Sequence, residues 1–113
     1  MTQVLELQTN TFEQEIKNSN VPVLVDFSAS WCAPCKQQDP VLHELAPEIE
    51  NQAKVMKVDV DQQQELAINH QIMSVPTLLL FHQGEIVKKW IGFTSKEELK
   101  QSILKYVEPS EGL

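Results

Sequence analysis

Cys32 and Cys35 are the only thiols in the chain, and they stand two residues apart in Trp31-Cys32-Ala33-Pro34-Cys35-Lys36. A pair at this spacing can close a small disulfide and open it again. The thiolate is the reactive form, and a free cysteine with a pKa of about 8.5 is mostly protonated at neutral pH. The local pattern supplies a remedy. The apolar run Val23-Leu24-Val25-Asp26-Phe27 precedes the pair and a helical pattern follows it, so Cys32 falls at the first turn of a helix. There the helix dipole and unpaired N–H groups favour an anion. Pro34 suits the first turn, where its missing N–H costs little. Cys35, three residues along, shares a helix face with Cys32 and is placed to attack a mixed disulfide on it and release the substrate. Lys36 adds a solvated positive charge.

Two other readings of the pair stand beside this one. A structural zinc or cluster site takes four ligands, against two cysteines and the scattered His43, His70 and His82; no metal is expected. Two inert buried thiols are the other reading, and the exposed turn beside Trp31 weighs against it.

The elements that must hold the pair follow from hydrophobic period. Val4–Leu7 is a short strand candidate. Asn10 or Thr11 can cap a helix carrying Phe12 and Ile16, with Thr11 and Gln14 at capping-box spacing, and 18–20 ends it. Residues 22–29 read as a strand buried on both faces. Val41, Leu42, Leu45 and Ile49 follow helical spacing, with a kink expected at Pro40. Residues 55–60 form a strand and 62–70 a short helix. Residues 77–82, the turn Gln83-Gly84 and residues 85–91 form a hairpin. Ser95 caps a last helix, with Glu98 three residues on and Leu99, Ile103, Tyr106 and Val107 along one face. This β-α-β-α-β-α-β-β-α order predicts an α/β fold. Its central mixed sheet has a parallel core and an antiparallel C-terminal hairpin, with helices on both faces. In such sheets the site lies beyond the carboxyl ends of the strands, where Cys32 falls.

The whole chain sets the bounds. Its 113 residues, 42% of them apolar, fit one globular domain over residues 1–108, with a short flexible tail at 109–113. A net charge of −7 argues against nucleic-acid or anionic-membrane binding. No apolar run approaches the roughly 20 residues that span a bilayer. The start Met1-Thr2-Gln3-Val4-Leu5-Glu6 has neither a basic segment nor an apolar signal core. A reducing, cytoplasmic setting is therefore expected, which suits a working dithiol better than a structural disulfide.

Several spaced motifs, in order, resemble the thioredoxin family over about residues 4–107. They are Val25-Asp26-Phe27, Trp31-Cys32-x-Pro34-Cys35-Lys36, Pro40, Lys57, Asp59-Val60-Asp61, Val75-Pro76-Thr77 followed by Leu78–Phe81, Gly84 and Gly92. The link from a two-spaced cysteine pair near a βαβ pattern to this fold is a general rule of sequence reading. The resemblance implies a thioredoxin fold and a protein-disulfide reductase. Cys32 would attack and Cys35 resolve. Asp26, mid-run in an apolar strand, should be desolvated with a raised pKa; the resemblance makes it the base that takes the proton of Cys35. Lys57 would neighbour Asp26 and modulate its charge. Pro76 would be cis, turning the Val75 backbone toward the cysteines for strand-like pairing with an extended substrate. Trp31, Ala33, Pro34, Val60, Met73, Val75, Gly92 and Phe93 would complete the docking face.

The implied partners are disulfide-containing proteins and a separate thioredoxin reductase drawing on NADPH. No cofactor would be held in the chain, and a monomer is expected. The rival functions are a thiol oxidase or isomerase on the same fold, and a chaperone-like binding module using the same apolar face. Some positions depart from the family pattern. Ala33 replaces a glycine and should stiffen the turn, in a pair that influences reduction potential. Ser28 stands for an aromatic and His70-Gln71 for Tyr-Gly. Gln38 stands for an aliphatic and is expected to contact the active site or solvent, since a buried amide needs partners. Trp90 is unusual for a late edge strand and is expected to cover the sheet.

Overall fold

The computed structural model describes residues 4–107; the tail expected at 109–113 lies outside them. In chain order the elements are β1 (Leu5–Glu6), α1 (Thr9–Lys17), β2 (Val23–Ser28), α2 (Ala33–Glu48), β3 (Lys54–Asp59), α3 (Gln64–Asn69), β4 (Thr77–His82), β5 (Glu85–Ile91) and α4 (Lys96–Leu104). The five strands form one sheet in the order β1-β3-β2-β4-β5. β1, β3 and β2 run parallel; β4 is antiparallel to β2, and β5 to β4. The mixed sheet is the expected one.

β2 lies at the centre and is buried at every position, which accounts for its near-continuous apolar run. Alternation along the strands sorts side chains into two cores. Leu24, Val55, Leu78 and Leu80 pack with Leu42, Leu45 and Ile49 from α2 and its end, and with Leu99 and Ile103 of α4. Val23, Val25, Phe27, Met56, Val58, Leu79 and Phe81 pack on the other side with Phe12 and Ile16 of α1 and Leu66 of α3. A fully buried side chain of this size contributes about 1.5–3 kcal/mol. The same alternation has a chemical consequence. Asp26 and Ser28 on β2, and Lys57 on β3, share the face of Leu24 and Val55, so they point toward α2.

Local signals explain most element ends. Ser95 caps α4 by accepting from the Glu98 amide at 3.2 Å. Gln83 and Gly84 both take positive φ, 55° and 84°, as a two-residue type I′ hairpin turn requires. Helix α2 is capped by Cys32 and runs to Glu48 with Pro40 and Pro47 inside it. The start of α1 differs from expectation. The helix begins at Thr9 after Gln8, with no side-chain cap from Asn10 or Thr11. Instead Gln63, just before α3, accepts from both the Thr9 amide and its hydroxyl at 2.9 Å. A tertiary acceptor replaces the local one, which no capping-box pattern can reveal.

Candidate active site

The strand-to-helix turn places both cysteines. Cys32 is the N-cap of α2, and its sulfur accepts from the Cys35 amide at 3.2 Å. Cys32 and Cys35 are joined as a disulfide across a Cα–Cα distance of 5.2 Å. An amide pointing at the Cys32 sulfur is the donor that stabilises its thiolate once the bond is reduced. Both cysteines are largely buried, packed with Ala29 and the half-buried Val60 and Val75. Ala33 and Pro34 are exposed between them.

The Val75–Pro76 peptide is cis, and the Val75 carbonyl lies 3.6 Å from Cys32 Sγ. In the disulfide this sulfur carries no proton, so the approach is a van der Waals contact; in the dithiol the carbonyl is an acceptor for the thiol. Beside it runs an apolar groove of about 530 Å³, bounded in part by Trp31, Val60, Ile68, Met73 and Val75. Trp31, Ile68 and Met73 are 69%, 74% and 92% exposed, which is unusual for apolar side chains so close together and marks a contact surface. The Trp31 indole is held by an Nε1–H bond to Asp61 at 2.8 Å. Gly92, at φ 93°, donates its amide to the Pro76 carbonyl at 2.8 Å. Phe93 beside it is exposed.

Asp26 lies beneath α2, 1% exposed, and its Oδ1 has no protein hydrogen-bond partner. Desolvation pushes its pKa from 3.8 to about 7, opposed by the charge of Lys57 and reinforced by that of Asp39. Lys57 is the registered partner of Asp26 on β3. Its ammonium, however, goes to Asp39 Oδ1 at 2.8 Å. Burial works against the charged amine of Lys57. The hydrogen bond and charge of Asp39, with the charges of Asp26 and Glu6, outweigh that and hold its pKa above the ordinary value. A cleft of about 330 Å³ is lined among others by Ser28, Cys35, Asp39 and Lys57.

Asp39 is the residue that sequence reasoning missed. The signal was present: Asp39 follows Cys35 by four residues, so it shares the helix face that meets the sheet. Asp61 was legible only as part of a motif, and Ile68 had no signal beyond its type. Gln38 corrects an expectation. It is fully buried and reaches neither solvent nor the cysteines. Its amide clamps Thr94, donating to the carbonyl at 2.9 Å and accepting from the N–H at 2.8 Å. Trp90 covers the sheet as expected, 9% exposed, with its Nε1 directed at Glu98. His70 packs its ring against Phe12, Phe27 and Phe81. Gln71 takes φ 57°, the left-handed conformation that explains why glycine is frequent there. Among the described residues, no group of three or more His, Cys, Asp or Glu side chains could hold a metal ion.

The family model described as Thioredoxin matches residues 3–105. The chain belongs to the thioredoxin family. Thioredoxin from Pyropia yezoensis is 41% identical over 104 residues, covering 92% of this chain and 97% of that one. A "Bifunctional thioredoxin reductase/thioredoxin" of Mycobacterium leprae is 43% identical over 99 residues, 88% of this chain and 22% of the longer one. A solved structure of a point-mutant thioredoxin from Halobacterium salinarum superposes with a TM-score of 0.85 at 35% identity, covering 96% of this chain and 95% of that one. Family membership and the Cys32–Cys35 pair together make this chain a protein-disulfide oxidoreductase.

Proposed function

We propose that this chain reduces protein disulfides in two exchange steps, with Cys32 as nucleophile, Cys35 as resolving thiol and Asp26 as proton acceptor. The observation that carries the reading is the Cys35 amide aimed at Cys32 Sγ at 3.2 Å, at the start of a helix and beside an exposed apolar groove. In the dithiol form the Cys32 thiolate attacks one sulfur of a substrate disulfide. That bond breaks, a Cys32–substrate disulfide forms, and the other substrate sulfur leaves as a thiolate that takes a proton from solvent. Cys35 passes its proton to the Asp26 carboxylate through water, and its thiolate attacks Cys32 Sγ. The mixed disulfide breaks, the second substrate sulfur leaves, and the Cys32–Cys35 disulfide forms. Two electrons have passed to the substrate. A carboxylate with a pKa of about 7 is matched to take and return this proton near neutral pH.

The docking face is Trp31, Ala33, Pro34, Val60, Met73, Val75, Pro76, Gly92 and Phe93, with the Val75 backbone as the edge that an extended segment joins. Lys57 modulates Asp26. A separate thioredoxin reductase using NADPH regenerates the dithiol; the joined reductase and thioredoxin of the Mycobacterium leprae relative supports that pairing. The chain works as one unit over residues 1–108, as a monomer without a bound cofactor, in the cytoplasm, where thiols are kept reduced. No helix among the described residues is long and apolar enough to cross a membrane.

Reduction of insulin disulfides, driven by thioredoxin reductase and NADPH, tests the reading. The unmodified chain turns over, Cys35→Ser stalls as a mixed disulfide, and Asp26→Ala slows turnover near neutral pH while keeping the fold. No turnover by the unmodified chain would overturn the reductase reading and favour the binding module. A measured reduction potential separates reductase from oxidase.

A further inference from the structure

Three carboxylates bear on Lys57, those of Asp39, Asp26 and Glu6, and the one it engages is not the buried one. On the sheet Lys57 is registered opposite Asp26, and both point toward α2. Yet its Nζ sits 2.8 Å from Asp39 Oδ1. The other oxygen of Asp39, Oδ2, faces His43 Nε2 at 3.4 Å. Cys35, Asp39 and His43 succeed one another at four-residue steps, so one stripe of α2 carries the resolving cysteine, the anchor for Lys57 and a histidine. Asp26 Oδ1 meanwhile has no protein partner.

The arrangement is selective. An ammonium placed against Asp26 would satisfy the buried carboxylate and hold it ionised, weakening it as a base. Held by Asp39, the same ammonium is kept at the cleft mouth, where Lys57 is a quarter exposed and Asp39 somewhat more. We propose that Asp39 is a positioning residue for proton transfer: it anchors Lys57 away from Asp26 and so preserves the basicity of the buried carboxylate toward Cys35. The proposal rests on Asp26 as the proton acceptor. The charged and titratable groups around the Lys57 cleft are Glu6 from β1, Lys57 and Asp59 from β3, and Lys36 and Asp39 from α2, with His43 beside Asp39; of these, Lys57 and Asp39 act on Asp26 by charge. Only Asp39 both touches Lys57 and shares a helix face with Cys35.

The test is the titration of the Asp26 carboxyl, followed by carbon NMR in the full chain, alongside insulin reduction as a function of pH. In Asp39→Asn the Asp26 midpoint falls from about 7 by about half a pH unit or more, the size expected when an anion is lost and a cation is released toward the site. The acidic limb of the turnover profile moves down with it. Asp39→Glu, which keeps the anion, restores most of the shift. Adding Lys57→Met to Asp39→Asn moves the midpoint back up. A midpoint unmoved or raised in Asp39→Asn overturns the proposal, even if the variant is less stable, because a purely structural ion pair would change stability and leave the titration alone. Asp26→Ala separates the two readings: unchanged turnover across pH would remove Asp26 as the base, whereas the Asp39 test is read on the carboxyl itself and is decided independently.

Discussion

Asp26 is the residue whose surroundings most affect the molecule's response to pH. Its carboxyl is neutral more readily in the folded chain than in the unfolded one, because burial displaces its pKa from 3.8 to about 7. A group with a raised folded pKa contributes stability that is fully present below about pH 4. That stability is lost as pH rises toward 7, since over this window the folded state binds the extra proton. At about 1.4 kcal/mol for each pH unit, the full loss is about 4 kcal/mol. Asp26→Asn in the oxidised protein therefore matches the unmodified chain in stability near pH 3 and exceeds it by up to about 4 kcal/mol at pH 8.5. Urea unfolding at the two pH values measures this, and equal gains at both would show that desolvation is not the cause. The carboxylate's oddity was readable from its place in an apolar run. The helix face of Asp39 was readable from its spacing to Cys35, but its partner was not, because the Lys57–Asp39 pair joins β3 to α2 across the fold.

Among the elements, α2 does most to assemble the site. Its first turn carries Cys32 and Cys35, its sheet-facing stripe carries Asp39, and its buried Gln38 holds Thr94 beyond the end of β5. Replacing Gln38 by Ala leaves the buried N–H and C=O of Thr94 without partners, at a cost of about 2–4 kcal/mol. A lowered urea midpoint with unchanged dependence on urea is the expected result; a change below about 0.5 kcal/mol would show that solvent replaces the clamp. The hairpin, both flanking helices and the strand of Asp26 were legible because period, turn residues and the Ser95 cap agree with the final structure. The start of α1 was misread and the partner of Gln38 went unseen for a shared reason. Both depend on acceptors more than fifty residues away, Gln63 for Thr9 and Thr94 for Gln38.

Across the whole molecule, the sheet's edges and charge set how copies meet. One edge is β1, only two residues long. The other is β5, which carries Lys88 and Lys89. A short edge and a charged one both discourage strand-to-strand association, and the net charge of −7 adds repulsion between copies. Sedimentation at increasing concentration should give a single monomeric species. A dimer would point to the groove of Trp31, Ile68 and Met73 as a self-association face. Fold class, the antiparallel C-terminal hairpin and the position of the cysteines were readable from element order, since α/β patterns admit few topologies; the strand order was not. The groove was only partly so, because exposure of Ile68 and Met73 depends on how α3 and the loop after it lie against Trp31.

The clamp on Thr94 also sets a timescale. Phe93 and Gly92 belong to a surface turn, a class of segment that ordinarily opens far more often than the core. Here the next residue's amide and carbonyl are both tied to a side chain rooted in the longest helix. The turn can swing away only when that glutamine lets go, so its lifetime is borrowed from α2, the helix that also carries the thiols.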